Sequence, residues 1–253
     1  DYFLPPLKLD HLNLYEMAKN TIYEKQLDLI PKEVKFCKRC VVSNQRPRIV
    51  FNDSGVCNAC IWSEEKQKID WKIRKEEFLD LLNKYRKSNG EYDVVVPSSG
   101  GKDSGMIAHR LKYEYNMNPI VACWSPLLYT DIGFQNIQNL FNSGISGIIH
   151  TPNRKIQRII SLLGLVLIGN HFEAFGRGQM SFPLHVACEY NIPLVMSGEN
   201  GELEYGGSHK DKDKPGRKWE YFDELYHKGT STKQIVDFCD ENKILNDEEL
   251  KDD

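Results

Sequence analysis

The chain has 253 residues, of which 40% are hydrophobic and 27% charged, and this composition excludes a collagen, a coiled-coil rod and a wholly disordered chain. Its 33 basic and 36 acidic residues give a formal net charge of −3, so no overall basic field indicates a nucleic-acid partner. The longest apolar runs, such as Leu162–Ile168, are too short to span a bilayer, and no secretory leader is recognisable. We therefore expect neither nucleic acid nor a membrane as a partner.

The use of cysteine indicates a reducing compartment. Of the seven cysteines, four form two Cys-x2-Cys pairs, Cys37 with Cys40 and Cys57 with Cys60, and three stand apart in the sequence. Secreted disulfide frameworks are usually short and dense in cysteine, and an odd number of cysteines leaves a free thiol. We expect a cytoplasmic protein.

The first third of the chain combines helical patterns with a turn-rich segment. Residues 1–33 are predicted to form an extension with one amphipathic helix, Asp10–Leu29, for which Asp10 is the expected N-cap. Residues 34–62 hold the cysteine pairs among turn-forming residues and are predicted to fold as a metal-binding knuckle. Apolar residues at helical spacing predict a further helix over Ile61–Lys87.

From residue 92 onward, short apolar strands alternate with helices. This alternation predicts an α/β fold, a doubly wound parallel sheet with helices on both faces, whose sites lie at the carboxyl ends of the strands. The predicted strands are Tyr92–Val96, Ile120–Trp124, Gly147–His150 and Pro193–Ser197. The predicted helices are Asp103–Tyr115, Ile132–Phe141, Asn153–Leu163 and Ala174–Tyr190.

The pattern changes again near residue 207, where we place the end of an α/β domain that begins at residue 63. Alternating charges over His209–Gly216 predict a mobile loop, since such a segment cannot build a core. A weak helical pattern follows over Arg217–Leu245, and a polar tail comes after it. Residues 208–253 are thus predicted to lie outside the α/β domain.

A glycine-rich loop stands directly between the first predicted strand and the helix after it. Glycines allow backbone N–H groups to face one concavity, and the N-terminus of the following helix favours negative charge. Lys102 adds a full positive charge for phosphate oxygens, Asp103 can hold Mg²⁺, and Ser104 can donate to phosphate. The loop is not of the Walker A type, because Val96 stands where that motif needs its first glycine. The predicted phosphate-binding residues are Ser99, Gly100, Gly101, Lys102, Asp103 and Ser104.

The two cysteine pairs predict a metal site. Four thiolates close the tetrahedral shell of Zn²⁺ and leave no position for a substrate, so we expect a structural zinc ion on Cys37, Cys40, Cys57 and Cys60. An iron–sulfur cluster is the alternative that the spacing leaves open. The position of the quartet in its own turn-rich segment, well before the glycine-rich loop, favours zinc.

The string Ser-Gly-Gly-Lys-Asp-Ser after a buried strand resembles the PP-loop ATP pyrophosphatases, which have an adenine nucleotide α-hydrolase-like fold and hold the departing pyrophosphate on this loop. Over about residues 36–208 the chain is similar to the N-acetyl sugar amidotransferases, which make acetamidino groups in bacterial lipopolysaccharide O-antigen sugars and in flagellin nonulosonic acids. The resemblance rests on the cysteine pairs, the loop and Gly198-Glu199-Asn200. Further matching strings are Arg46-Pro47, Ile69-Asp70-Trp71, Tyr92-Asp93, Tyr115-Asn116-Met117-Asn118-Pro119 and Glu204-Tyr205-Gly206-Gly207. Family members usually have a longer C-terminal part, so the resemblance implies that residues are missing there.

The resemblance also implies a nucleotide site beyond the loop. In the superfamily the end of the second strand receives the adenine, which places Cys123, Trp124 and Ser125 there, and Arg177 aligns with a basic position that reaches the phosphates. Cys123 is interpreted as a small core residue rather than a nucleophile, because nothing in the sequence marks an activating base.

The family implies an ATP-dependent reaction in which Lys102, Asp103 and Glu199 are catalytic and Gly198 helps to bind the nucleotide. A carboxylate at the end of a strand, such as that of Glu199, is well placed for Mg²⁺ or for the substrate amide. The acetamido oxygen of a sugar is adenylylated and ammonia then displaces AMP. No cysteine stands in a glutaminase context, so ammonia is expected from a separate glutaminase subunit with a cyclase-like partner. ATP, Mg²⁺ and structural Zn²⁺ are the implied cofactors.

Two other functions stay open on the sequence alone. A tRNA-thiolating PP-loop enzyme shares the loop and the cysteine pairs, but it predicts a basic RNA-binding face and a catalytic cysteine near the loop, and the net charge of −3 argues against it. A non-catalytic nucleotide-binding scaffold has no physical need for Lys102 and Asp103. The sugar itself is open among a UDP-linked diacetamido sugar, a CMP-nonulosonate and a free nonulosonate.

Overall fold

The structure, a computed structural model, describes most of the chain. The described residues are 7, 9–19, 31–46, 49–200, 214, 216, 218, 220–222, 227 and 230–245. Three predicted features lie wholly or largely outside them: the second half of the first helix, the charged loop 209–216 and the polar tail. The predicted boundary of the α/β domain at residue 207 also lies outside the described residues.

The fold is of the α/β type and is built on a parallel sheet. Strands β1 (Val94–Pro97), β2 (Pro119–Trp124) and β3 (Ser146–His150) lie side by side in this order. These strands confirm the first three predicted strands to within two residues at either end. Strands buried on both faces are expected to be almost wholly apolar, which is why the runs were recognisable in the sequence.

A fourth extended segment flanks β1 on its other side. Val195 pairs with Val95 in a parallel bridge, the Val95 N–H donates to the Leu194 carbonyl at 2.9 Å, and the Met196 N–H donates to the Val95 carbonyl at 2.9 Å. This segment corresponds to the strand predicted over Pro193–Ser197. β1 therefore has a parallel neighbour on each side.

Eight α-helices have defined bounds among the described residues. They are α1 (Leu14–Lys19), α2 (Asn58–Glu65), α3 (Trp71–Tyr85), α4 (Lys102–Tyr113), α5 (Asp131–Asn142), α6 (Arg154–Ile168), α7 (Glu173–Glu189) and α8 (Thr232–Glu241). Within the part of the chain that the structure describes, none of them combines the length and apolarity needed to cross a membrane.

Helices cover both faces of the sheet. Side chains alternate along a strand, so Val94 and Val96 point to one face and Val95 to the other, and all three are fully buried. Val94 and Val96 pack in one core with Leu111 of α4, whereas Val95 packs in another with Val186 of α7. Both faces of β1 are thus shielded from water.

A further core joins the N-terminal segment to α6 and α8. Leu9 packs with Ile159 of α6 and with Leu245, so the N-terminal segment docks on its own chain. Helix α1 begins at Leu14, and the side chain of Asn13 accepts a backbone N–H of its first turn at 3.1 Å. The expectation that Asp10 is the N-cap is therefore wrong, because Asn13 occupies that position.

The helix predicted over Ile61–Lys87 is interrupted. The Asp70 carboxylate accepts the N–H groups of Lys72 at 2.9 Å and Ile73 at 3.2 Å and so caps a new helix, α3. Before it, α2 starts inside the predicted knuckle and leads into one 3₁₀ turn over Lys66–Lys68. Apolar periodicity alone did not reveal the break, because a capping aspartate resembles any other polar residue of an exposed helix face.

Two later helices also differ from their predicted bounds. Helix α6 runs past the predicted end at Leu163 and stops at Ile168, where Gly169 takes a left-handed φ of +68° and ends it. Of the weak helical pattern predicted over Arg217–Leu245, α8 occupies Thr232–Glu241. Ser231 caps α8 in a reciprocal box with Gln234.

Neighbouring leucines of α3 provide a test of this packing. Leu82 is fully buried, whereas Leu81 is 38% exposed. We expect Leu82→Ala to lower the free energy of unfolding by about 2–5 kcal/mol through lost burial and a cavity. Leu81→Ala should cost about 1 kcal/mol or less. Urea denaturation measures both, and equal losses would contradict the assignment of α3 to the core.

Candidate functional site

The backbone of residues 98–104, which we name the phosphate loop, is fixed by its neighbours. The Ser98 N–H donates to the Ala122 carbonyl of β2 at 3.0 Å, so the loop starts in the sheet. Gly100 has a φ of +81°, and a Cβ there would lie 2.8 Å from the backbone nitrogen of Ile137 in α5. Glycine is therefore required at this position by both conformation and space.

Two serines brace the phosphate loop from within. The hydroxyls of Ser98 and Ser104 lie 2.8 Å apart, and Ser98 Oγ accepts the Gly100 N–H at 3.1 Å. Ser104, which the sequence assigned to phosphate, also donates to the Gly101 carbonyl at 3.2 Å. Sequence reasoning missed Ser98, and its position at the start of the loop was the only available signal.

The two charged residues of the phosphate loop pair with each other. Lys102 Nζ lies 2.8 Å and 2.6 Å from the two carboxylate oxygens of Asp103. The Lys102 side chain is 86% exposed, and exposed ion pairs contribute only about 0–1 kcal/mol. Both groups can therefore turn toward a ligand at little cost. Helix α4 begins at Lys102, so its partial positive charge is added at the same place.

The segment after Val195 packs directly on the phosphate loop. A Cβ on Gly198 would lie 2.9 Å from the carbonyl carbon of Asp103 and 3.0 Å from the Ser104 nitrogen. The next residue, Glu199, is exposed, and its N–H donates to Ser197 Oγ at 3.3 Å. The structure thus brings the predicted residue Gly198 beside Asp103, although their sequence numbers differ by 95, and Glu199 directly follows Gly198.

The end of β2 is mostly closed. Cys123 and Ser125 are buried, and burial raises the pKa of the Cys123 thiol to about 11, so this thiol stays protonated at neutral pH. The Trp124 ring stacks on His150 with centroids 4.8 Å apart and lies against Gly178, where any side chain would collide with it. The thiol behaves as a core group, and the role of this strand end in binding adenine stays a prediction.

Arg177 is engaged by other parts of the protein. Its guanidinium pairs with the Glu173 carboxylate at 2.5 Å and donates to the Thr230 carbonyl at 2.5 Å. Glu173 is 4% exposed and the Arg177 side chain 15% exposed. This pair links α7 to the residues just before α8. The proposed contact of Arg177 with nucleotide phosphates stays a prediction.

The four paired cysteines form one cluster. Their sulfur atoms all lie within 4.8 Å of one another, and Cys37, Cys57 and Cys60 are buried. All seven cysteines are among the described residues and are free thiols. Sulfurs around a tetrahedral metal at about 2.3 Å are about 3.8 Å apart, and the sulfurs of Cys40 and Cys57 lie 3.5 Å apart. This cluster can hold a metal ion.

Local backbone structure points amide groups at the cysteine sulfurs. The first pair lies in a tight turn in which the Cys37 N–H donates to the Val42 carbonyl at 2.8 Å and Val41 takes a φ of +57°. The second pair lies at the start of α2, where Cys57 is the N-cap and its sulfur accepts the Cys60 N–H at 3.4 Å. Such N–H groups stabilise thiolates, which are the form that binds metal.

The pKa values of the cysteine thiols favour a bound cation at the cluster. Burial opposes ionisation of Cys37, but backbone N–H groups of Cys57, Arg39 and Cys40 lower its pKa to about 6. Hydrogen bonding to the Cys40 side chain, together with burial, raises the pKa of Cys60 to about 12. One sulfur ionises readily and a second resists, because adjacent negative charges repel each other. A bound cation removes that repulsion.

Comparison with known proteins adds little to this site. No model of a known protein family matches the chain. A stretch of 85 residues is 27% identical to an uncharacterized protein of Methanocaldococcus jannaschii and covers 33% of this chain and 30% of that protein. The chain thus spans less than a third of the length of the curated relative it matches. Because that relative is uncharacterized, the match carries no information on chemistry.

The cysteine cluster predicts bound metal. Purified protein should hold about one metal ion per chain, and Cys40→Ser should lose most of it because the shell is no longer closed. Cys188, an exposed cysteine of α7 outside the cluster, supplies the matched control, since Cys188→Ser should keep the metal. Plasma mass spectrometry measures the content. Equal loss from both variants would argue against the cluster as the site.

Packing of the segment at Gly198 against the phosphate loop is also testable. Gly198→Ala should lower the free energy of unfolding by about 1–3 kcal/mol, because the added methyl group meets the Asp103 backbone. A Cβ on Gly105, within α4, meets no atom within 4 Å, so Gly105→Ala should raise that free energy by up to about 1 kcal/mol. Thermal unfolding measures both changes. An unchanged midpoint for Gly198→Ala would disprove the close packing.

Proposed function

We propose that the protein is an ATP-dependent N-acetyl sugar amidotransferase, a carbon–nitrogen ligase that forms AMP and pyrophosphate. The observation that carries the proposal is the close packing of Gly198 on the backbone of Asp103 and Ser104, next in sequence to a carboxylate-bearing residue, Glu199. A phosphate-binding loop alone is common among nucleotide-binding proteins. A loop on which a second segment with a carboxylate is packed also offers groups that can contact the substrate to be activated.

The finer fold assignment, a doubly wound PP-loop domain, belongs to this proposal. Two features support it: β1 has parallel neighbours on both sides, and helices cover both faces. In open α/β sheets, ligands bind where the connections leave a strand toward opposite sides, at the carboxyl ends. The phosphate loop and Gly198 lie at such a point.

The mechanism follows from the proposed placement of ATP phosphates on residues 99–104. The acetamido oxygen of the sugar attacks the α-phosphorus, and the bond to the β-phosphate oxygen breaks, so pyrophosphate leaves. Lys102 and the loop amides stabilise the charge that develops on pyrophosphate. The resulting adenylylated imidate is attacked at carbon by ammonia, and AMP departs with the former acetamido oxygen. A proton is lost, and the product is an acetamidino sugar.

Magnesium fits the groups beside the loop. Carboxylate oxygen is the ligand that Mg²⁺ prefers, and Asp103 is partly exposed while Glu199 is exposed. These two residues would hold the ion, which supplies positive charge for the phosphates when bound. For the cysteine cluster we propose a structural zinc ion, because four thiolates in a segment separate from the phosphate loop leave no open coordination position.

The ammonia is proposed to come from a separate glutaminase subunit, accompanied by a cyclase-like partner. A glutaminase nucleophile needs an activated thiol. Burial raises the pKa values of Cys123 and Cys239 to about 11, and Cys188 lies exposed on α7 outside any cluster. None of the three cysteines outside the cysteine cluster is thus placed to act as such a nucleophile.

The alternative functions have weaker support. A tRNA-thiolating enzyme needs a reactive cysteine near the loop, and Cys123, at the end of the neighbouring strand, is buried with a raised pKa. A scaffold would not need an exposed lysine paired with an aspartate at a helix start. No specific feature of the described residues favours either function over amidotransfer.

Product analysis tests the proposal. The full chain would be incubated with ATP, Mg²⁺, a high ammonium concentration and a panel of N-acetylated nucleotide sugars and nonulosonates. We expect AMP, pyrophosphate and a sugar in which one oxygen has been replaced by NH. AMP that forms only after addition of tRNA would indicate the thiolating function. ADP as product would overturn the assignment of the phosphate loop.

Lys102→Ala should lower kcat/KM for this reaction by about a hundredfold or more, because the lysine charge acts on the leaving pyrophosphate. Lys72 offers a matched control, since it is an exposed lysine at the start of α3, as Lys102 is at the start of α4. Lys72→Ala should keep the wild-type value. Steady-state rates of pyrophosphate release measure both variants, and equal rates would favour a scaffold.

A further inference from the structure

A cluster of polar side chains lies where the chain leaves β2 and β3, and the mechanism proposed for the phosphate loop does not use it. Ser125 directly follows β2, Tyr129 lies in the loop before α5, and Arg154 and Gln157 belong to the first turn of α6. These four residues are named the arginine pocket. Ser125 is fully buried and Gln157 is 3% exposed. The pocket therefore occupies the end of the sheet at which ligands of parallel sheets bind.

Arg154 carries a charge that the described residues do not balance. Its Nη2 donates to Ser125 Oγ at 2.6 Å, and its Nη1 donates to Gln157 Oε1 at 2.8 Å and to the carbonyl of Pro126. All of these acceptors are neutral, and no carboxylate among the described residues forms an ion pair with the guanidinium. Burial lowers the pKa of Arg154, which shows that its surroundings disfavour the charge. A partly buried charge whose hydrogen-bond partners are all neutral is stabilised by an anion.

Two further polar groups of the pocket are buried. The Gln157 Nε2 has no hydrogen-bond partner, and the orientation of this amide is fixed because its oxygen must face the donating guanidinium. The Tyr129 hydroxyl lies beside the side chains of Ser125 and Cys123. Burial raises the pKa of this phenol, so it keeps its proton as a donor. An unpartnered buried donor such as the Gln157 amide is costly.

We propose that the arginine pocket binds an anionic oxygen group, a carboxylate or a phosphate, of the sugar that is to be amidated. This inference rests on the proposed function for the identity of the molecule. The phosphate loop follows β1, and the residues of the pocket follow β2 and β3, the next two strands of the sheet. Neighbouring strands are spaced by about 4.8 Å, so the two sites are about 5–10 Å apart. One sugar can span that distance, with its anion on Arg154 and its N-acetyl group toward the nucleotide.

The donor set explains why the ligand group should be an anion. Arg154, Tyr129 and Gln157 offer only N–H or O–H groups at their unused positions, so a ligand must supply acceptors. A guanidinium pairs best with the two oxygens of a carboxylate or phosphate. N-acetylated nonulosonates carry a carboxylate and nucleotide sugars carry phosphates, and both present anionic oxygens to the pocket.

Calorimetric titration of the full chain without ATP tests the inference. The probes are N-acetylneuraminate, which has a carboxylate, UDP-N-acetylglucosamine, which has a diphosphate, and uncharged N-acetylglucosamine. We expect one charged sugar to bind at least about tenfold more tightly than the neutral sugar, in line with a charge-assisted hydrogen bond. The charged probe that binds identifies the source of the anion. Equal binding of all three would overturn the proposal.

Variants separate this pocket from its surroundings. Arg154→Gln should weaken binding of the charged sugar at least about tenfold. Lys155→Gln, at the neighbouring exposed cation of α6, should leave it unchanged. Tyr129→Phe removes only the hydroxyl and keeps the ring, so it should preserve folding, while it weakens sugar binding by several-fold.

Two outcomes distinguish this inference from the proposed function. If Arg154→Gln weakens ATP binding and leaves the charged sugar unaffected, the pocket serves the nucleotide and the inference is wrong. If the charged sugar binds through Arg154 while no AMP forms with ammonium, the pocket stands and the amidotransferase proposal fails. Because binding is measured without ATP, loss of turnover does not affect this result.

Discussion

The site depends on one constraint, namely that β1 is hydrogen-bonded to a parallel neighbour on each side. Its backbone bonds to β2 on one side and to the segment around Val195 on the other, so three chain segments end at the same edge. Parallel strands put their carboxyl ends together, and this brings Gly198 onto the backbone of Asp103. Glycine at 198 lets the segments touch, and glycine at 100 lets the loop pass close to the backbone of Ile137.

The first two strands of the sheet could be predicted because they are buried on both faces. The runs 94–97 and 119–124 are almost wholly apolar, which is expected only of a buried strand. The third strand, 146–150, is partly exposed and was recognisable by its position in the alternation of strands and helices. The helices were harder to bound, because their ends depend on single polar contacts. Asp70 breaks a periodic pattern and Asn13 starts α1, yet neither differs in type from residues that lie within helices.

The residues of the candidate site also differ in how far they could be predicted from the sequence. The phosphate loop and the cysteine pairs each lie within a short stretch of sequence, so their residue types and spacing predicted them directly. The arginine pocket gathers residues that follow two different strands, and nothing in the sequence distinguishes Arg154 from a surface arginine. Arg177 also depends on the fold: the family resemblance implies a contact with phosphates, and in the structure its guanidinium pairs with the buried carboxylate of Glu173. Partners decide what an arginine can bind, and only the folded chain supplies them.

The two cationic positions at this edge of the sheet differ in a way that assigns them different tasks. Lys102 is exposed and paired with Asp103, so its charge is balanced and its side chain is able to move with a reacting phosphate. Arg154 is held by neutral acceptors on several sides, so it cannot follow a moving group. A mobile, balanced cation suits the leaving pyrophosphate, whose charge changes during the reaction. A fixed, unbalanced cation suits a group whose charge is constant and which serves to position the molecule that carries it.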